Sequence, residues 1–293
     1  MNRLTRLFAL LAVLALIAAA CADSTPVGER EFKLGDNGLP DLEGAEVTVG
    51  IENNYLPFNY VPVGETEGTG WDYEIWAAIC DLLNCQEVMT VAGWPAVIQQ
   101  VGNGEIDTAA DGISITDERK EIVDFSDAYM VVQQRFIVRV GDDRYSTVDD
   151  VINDPDTLVG TQVGTTNFDL AVELVGEDRI SAFPQFPLAV QALISGDVDA
   201  VIIDDAAGLG YVGENADAVE TVEGGLQPDP LGFIFPIGST LVEPVNLAIA
   251  ELKANGTFDR ISTKYFSDNF KVTYDDIAAP DLDIAPPETT EGS

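Results

Sequence analysis

Three short segments bring together residue types able to hold a small molecule that carries both signs of charge. In Gly112-Ile113-Ser114-Ile115-Thr116-Asp117-Glu118-Arg119, Thr116 is a natural helix N-cap, and Asp117 and Glu118 suit a first helical turn. Arg119 does not suit it, because the partial positive charge of a helix start opposes a cation. A guanidinium beside unsatisfied amides makes a strong anion site, bidentate for a carboxylate. The chain has only nine Arg, and this one stands at a strand-to-helix switch, which favours binding over an exposed pair with Glu118 or Glu121. In Gln162-Val163-Gly164-Thr165-Thr166-Asn167 a buried strand runs into Gly164, where backbone can approach a ligand, and Thr166 is placed to cap a helix. Its amides and hydroxyls suit an anionic group, although the Gly-Lys-Ser/Thr pattern of a phosphate loop is absent. In Asp199-Ala200-Val201-Ile202-Ile203-Asp204-Asp205 an apolar strand ends in two carboxylates. Adjacent strand residues face opposite ways, so one acid can enter a cleft while the other caps the next helix. Arg119 facing Asp204 is the arrangement that an α-ammonium, α-carboxylate ligand requires.

The elements that must position these segments alternate between strand and helix. Apolar β-rich runs predict strands at 47–51, 88–91, 107–113, 130–140, 158–163, 200–203 and 231–236. Helical spacing predicts helices at 73–83, 96–101, 190–194, 242–254 and 258–266, with a helical turn at 117–122. This alternation argues an α/β fold with mainly parallel sheets, in which ligands sit beyond the carboxyl ends of the strands.

Composition narrows the function. With 51 Asp and Glu against 14 Lys and Arg, the formal charge is −37, which excludes a sequence-independent nucleic-acid binder and a polybasic membrane anchor. The absence of His excludes a Ser-His or Cys-His pair and an imidazole metal site. At 46% apolar residues the chain can still build a core, so the acids read as a solvated surface that salt would screen. Arg3 and Arg6 precede an uncharged apolar run from Leu7 to Ala20, too short for a comfortable membrane span and suited to a signal-peptide core. Its ending, Ala18-Ala19-Ala20-Cys21, resembles the bacterial lipoprotein signal, which implies lipidation of Cys21 and an extracytoplasmic, membrane-tethered protein. Residues 21–45 are expected to be a flexible tether and 273–293 an acidic disordered tail. Cys80 lies near a helix end, and Asn84 can turn the chain back in the left-handed region. An extracytoplasmic location then permits a short Cys80–Cys85 disulfide that pins the helix end.

The segments taken together resemble the amino-acid-binding periplasmic proteins of ABC importers, the family 3 solute-binding proteins. The resemblance rests on Val49-Gly50 with Tyr55-Leu56-Pro57-Phe58, Gly70-Trp71-Asp72-Tyr73-Glu74 and Gly104-Glu105-Ile106-Asp107. Its most diagnostic stretch is Ser114-Ile115-Thr116-Asp117-Glu118-Arg119 with Val123-Asp124-Phe125-Ser126. Gly164-Thr165-Thr166, Gly196-Asp197-Val198-Asp199-Ala200 with Asp204, and Gly256-Thr257-Phe258-Asp259 follow in family order, over about residues 46–268. The resemblance implies a two-lobed periplasmic-binding-protein clamp, each lobe a mostly parallel sheet flanked by helices. Lobe 1 would be 46–136 plus 232–272 and lobe 2 would be 137–231, joined by a two-strand hinge. It implies that Arg119, Ser114 and Thr166 hold the ligand α-carboxylate, and that the Gly112 carbonyl and Asp204 hold the α-ammonium. Tyr55 and Trp94 would stack on the ligand side chain, Trp94 equally well serving as packing, and Glu52 and Gln162 would read it. Asp111 either faces the cleft or sits on the opposite strand face and bonds backbone. Glu52 favours a polar or cationic side chain. The implied partners are a free amino acid and ABC transporter permease subunits, with membrane contact through a lipid anchor only, no cofactor, and a monomeric state. An ectoine-like zwitterionic osmolyte and a dehydratase-type enzyme on the same fold are the alternatives. Turnover is not expected, since the chain lacks His and a clear acid–base pair at the cleft.

Overall fold

Strand β1 (Ala45–Ile51) changes from half-exposed at its start to fully buried at Val49-Gly50-Ile51, the burial of a central strand covered on both faces. The computed structural model describes residues 25–267 together with 270 and 272. The expected signal peptide, Cys21 and the tail at 273–293 lie outside the described residues. β1 pairs in parallel with β2 (Cys85–Val91) and β3 (Thr108–Ala109). Strands β4 (Asp124–Phe125) and β11 (Ile234–Phe235) complete the first sheet in the order β2-β1-β3-β11-β4, with β11 antiparallel to both neighbours. The second sheet holds β5 (Met130–Arg139), β6 (Val159–Gln162), β7 (Ile180–Phe183), β8 (Ala200–Asp204) and β9 (Val219–Thr221), in the order β7-β6-β8-β5-β9. β6 is parallel to β7 and β8, whereas β5 runs antiparallel to β8, β9 and β10 (Pro228–Leu231).

Both sheets are therefore mixed rather than mostly parallel. The long β5 carries the chain from the first sheet into the second, and β10 returns beside it. A chain that crosses and comes back must place its returning strands antiparallel to those it left. The expected strand at 107–113 shrinks to two residues because Gly112 adopts a φ of 57° and turns the chain into the cleft. The apolar run at 231–236 splits into the end of β10 and β11 around Gly232 and Phe233.

The helices are α1 (Trp71–Leu83), α2 (Ala96–Gly102), α3 (Val148–Asn153), α4 (Thr166–Val175), α5 (Phe186–Ser195), α6 (Asp205–Glu214), α7 (Val242–Ala254) and α8 (Thr257–Tyr265). Ile75, Ile79 and Leu83 lie on one face of α1 at helical spacing and are buried, each stabilising by about 2 kcal/mol. At the start of α1, Trp71 packs on Tyr129 and Phe233 and edge-on against Phe258. On the other face of the first sheet, α2 contributes Val97 and Val101 to a core with Ile106, Ile113, Val123 and Ile234. Asn84 ends α1 in the left-handed conformation, its amide donating to the Cys80 carbonyl, and Cys80 and Cys85 are joined by a disulfide.

Residues 25–45 are not a loose tether. Lys33–Leu34 pairs with Pro40–Asp41, Val27 and Leu42 are buried, and the Leu42 amide donates to the Leu83 carbonyl at 2.8 Å. The apolar residues of this Gly- and Pro-containing stretch have somewhere to go once α1 offers its C-terminal end. Among the described residues, no helix is long and apolar enough to cross a membrane, and no group of three His, Cys, Asp or Glu could hold a metal ion.

Candidate functional site

Just beyond the carboxyl ends of β1, β3, β6 and β8, residues from both sheets wall one cavity. Glu52 follows β1, while Asp111, Gly112 and Ser114 follow β3. Gln162 ends β6, Asp204 ends β8, and Thr165, Thr166 and Asn167 open α4. Tyr55, Trp94, Arg119 and Phe186 complete the wall. All nine residues expected at the ligand site line this one cavity.

At one end stands Arg119, half-buried in a single 3-10 turn rather than at the head of a helix. Its amide is held by the Thr116 hydroxyl at 3.1 Å, the local cap expected of Thr116. The guanidinium donates to the Ser114 carbonyl at 3.0 Å and lies over the Trp94 ring, 4.9 Å from its centroid. Among the described residues it forms no ion pair. Burial lowers its pKa, opposed by the charges of Asp229, Asp169 and Asp204.

Ser114 and Thr166 sit beside it, and both donate their single hydroxyl proton to Asp229, at 2.7 and 2.9 Å. Their own oxygens approach to 3.0 Å because one carboxylate holds both. Gln134 donates to Thr166 at 3.1 Å. The cap of α4 is Thr165, which accepts from the Phe168 amide, and not Thr166 as its position suggested. Moving the cap back one residue leaves the Thr166 hydroxyl to Asp229.

Asp204, on the wall of the same cavity, is buried. It accepts from the Tyr55 hydroxyl at 2.5 Å and from Asn167 at 3.1 Å. Burial raises its pKa to about 7 with a contribution from Asp229, against the pull of these two donors. Asp205 does not cap α6 either: it accepts from the Gln133 amide and pairs with Arg135. Tyr55 stacks on Phe58, ring centroids 5.2 Å apart, and its hydroxyl is engaged by Asp204. Gly112 is obligatory beside it, since a Cβ there would lie 2.6 Å from Tyr55 Cε1 at a φ that side chains disfavour.

Along the remaining wall, Gln162 donates to both Glu52 oxygens at 2.9 and 3.2 Å and to the Pro184 carbonyl. Trp94 donates through its indole nitrogen to the Gly164 carbonyl at 3.0 Å while presenting its face to Arg119. Asp111 faces the cleft: it lines the cavity, buried, and one oxygen accepts from Asn59 at 2.7 Å. Burial pushes Asp111 up to about 7, and raises Glu52 well above its ordinary range with help from the charge of Asp111.

Sequence reasoning missed Asp229, Asn167, Thr165 and Phe186. The signal for Asp229 was its place in Pro228-Asp229-Pro230, since flanking prolines mark a strand that cannot donate to a ladder there, as at an edge or hinge.

The family model for bacterial extracellular solute-binding proteins, family 3, matches residues 47–268. The chain is 30% identical over 249 residues to the L-arginine-binding protein of Pseudomonas aeruginosa, covering 75% of this chain and 88% of that protein. It is similar to the solved structure of an ancestral arginine-binding protein bound to arginine, with 32% identity, a TM-score of 0.69, and coverage of 76% of this chain and 98% of that one. A second solved structure is the ancestral amino acid-binding protein AncCDT-1, a precursor of cyclohexadienyl dehydratase. It has 29% identity and a TM-score of 0.70, with 76% of this chain and 96% of that one covered. All three relatives are binding proteins.

Proposed function

Since the chain belongs to the bacterial extracellular solute-binding proteins of family 3, we propose that it binds a free amino acid outside the cytoplasm and delivers it to the permease of an ABC transporter. The observation that supports this most directly is one cavity whose wall carries both a guanidinium and buried carboxylates and is drawn from both sheets. Arg119 takes the ligand α-carboxylate, aided by the partial positive charge at the start of α4. Asp204 takes the α-ammonium, held in place by Tyr55 and Asn167. An arriving ammonium stabilises the ionised form of Asp204, so part of the cost of burying that acid is offset on binding. Trp94, Glu52, Gln162 and Phe186 then surround the side chain, which is polar or cationic.

Release and capture follow from the contacts between the two sheets. Glu52 to Gln162, Tyr55 to Asp204, and Trp94 to Gly164 each join one sheet to the other. Opening about β5 and β10 exposes the ends of the strands, and closure around a ligand excludes water and strengthens every charge contact inside. Lobe 1 is then 46–136 plus 232–272 and lobe 2 is 137–231. A lipid on Cys21 keeps the protein, a monomer, near its transporter, a role supported by the apolar run and small residues that precede that Cys.

A thermal-shift screen over the twenty amino acids, with ornithine, citrulline and ectoine added, tests the reading. A saturable rise in melting temperature with one or a few amino acids is expected. A response to ectoine alone, or to none of them, would count against it.

A further inference from the structure

We infer that Glu52 and Asp111 together form the side-chain end of the cavity and select an amino acid whose side chain ends in a cation. The inference rests on the amino-acid-binding reading and narrows its substrate class. It begins with strand register. Gly50 of β1 pairs in parallel with Ala109 of β3, and the Ala110 amide donates to the Gly50 carbonyl. Two residues further on, the same register sets Glu52 beside Asp111, neighbours across parallel strands about 5 Å apart at the backbone and on the same face.

Both side chains line the cavity, and both are 5% exposed. Like charges placed directly side by side repel, and burial makes that repulsion costly unless a counter-charge is present. Among the described residues, neither acid is paired with Lys or Arg. Glu52 accepts from the uncharged Gln162 amide across the cleft and meets the Trp94 backbone. Asp111 has the Asn59 amide on one oxygen, and its other oxygen has no partner. The same Asn59 nitrogen also donates to Asp72, so a third buried carboxylate stands behind the pair.

The charge count of the wall points the same way. Among the described residues Arg119 is its only cation, against Glu52, Asp111 and Asp204. A zwitterionic backbone occupies Arg119 and Asp204 and leaves the Glu52–Asp111 pair without a positive partner. A guanidinium or ammonium at the end of the side chain supplies it, in a cavity whose wall also holds the rings of Trp94 and Phe186.

Calorimetric titration of the purified full chain with arginine, lysine, citrulline and glutamine tests this, because citrulline keeps the shape of arginine and removes its charge. At pH 8, arginine or lysine is expected to bind about 100-fold more tightly than citrulline or glutamine. Asp111→Asn and Glu52→Gln are each expected to shrink that ratio at least tenfold while the circular dichroism spectrum is retained. A second readout needs no variant. The groups facing Asp111 are Glu52, Asp72, Tyr73 and Tyr129, so no neighbouring cation holds it ionised. A cationic side chain must then displace protons from the pair as well as from Asp204, and its affinity should rise more steeply between pH 6 and pH 8 than that of citrulline, whose only charge contact with an acid is at Asp204. Saturable binding in which citrulline or glutamine matches the cationic ligands would overturn the selection and leave the amino-acid reading standing. Saturable binding of none of the four, with the fold intact, would overturn the selection and count against the amino-acid reading as well.

Discussion

Arg119 concentrates the anion-binding capacity of the cavity in one side chain, held by the Ser114 carbonyl and the Trp94 ring before any ligand arrives. Arg119→Ala is therefore expected to weaken amino-acid binding by about 3 kcal/mol, roughly 150-fold in Kd, because the ligand carboxylate would be buried without its partner. Titration calorimetry checks this, and affinity surviving the change for every amino acid would remove Arg119 from the site. The acids make a second residue-scale prediction. Asp204 and Asp111 are both pushed up to about 7, above the unfolded carboxylate value near 4. Between those limits the folded chain holds protons that the unfolded chain has lost. These two groups thus make the unliganded protein less stable as pH rises from about 4 towards 7. Urea unfolding across that window should show the decline, and a cationic ligand should reduce it by favouring the ionised acids.

Among the elements, α1 carries the clearest division between stability and function. Its first residues reach Tyr129, Phe233 and Phe258, whereas its C-terminal end is tied by the Cys80–Cys85 disulfide to the start of β2. The cleft lies at the other end of β1 and β2, seven residues and about 20 Å along the strands. The bridge closes a loop of only a few residues, so replacing both Cys with Ala is expected to cost about 2 kcal/mol of stability, by the entropy of a short loop. Ligand affinity should not change. A double variant that unfolds normally but binds poorly would show that the bridge positions the site.

For the whole molecule, a charge of −37 is the dominant fact. Only a handful of ion pairs join the described residues, and most acids face solvent with no cation beside them. Self-repulsion of this kind opposes compaction and is screened by salt, the screening length falling from about 30 Å at 0.01 M to about 3 Å at 1 M. The melting temperature of the unliganded protein is therefore expected to climb by on the order of 5 °C over that range of sodium chloride. A flat or falling curve would mean that the surface acids do not limit stability. Salt should also reduce the affinity of a cationic ligand only modestly, because its partners are buried.

By itself the sequence determined the chemistry and the alternation of elements. Arg119 betrayed itself by opposing the helix charge expected around it, Asp204 by ending an apolar strand, and the helix at 242–254 by its spacing alone. Each of these signals is local, written within a few residues. What only the tertiary structure decided is partnership. Periodicity reports which face of a strand is buried but not which strand lies beside it, so the antiparallel crossings of β5 and β10 and the packing of residues 25–45 were not legible. Asp229 meets Ser114 and Thr166 from 115 and 63 residues away. Asp111 stands beside Glu52 only because β1 and β3 pair in one register and no other. Contacts between segments far apart in the chain are selected by the burial and pairing of the whole fold, and no window of sequence contains that competition.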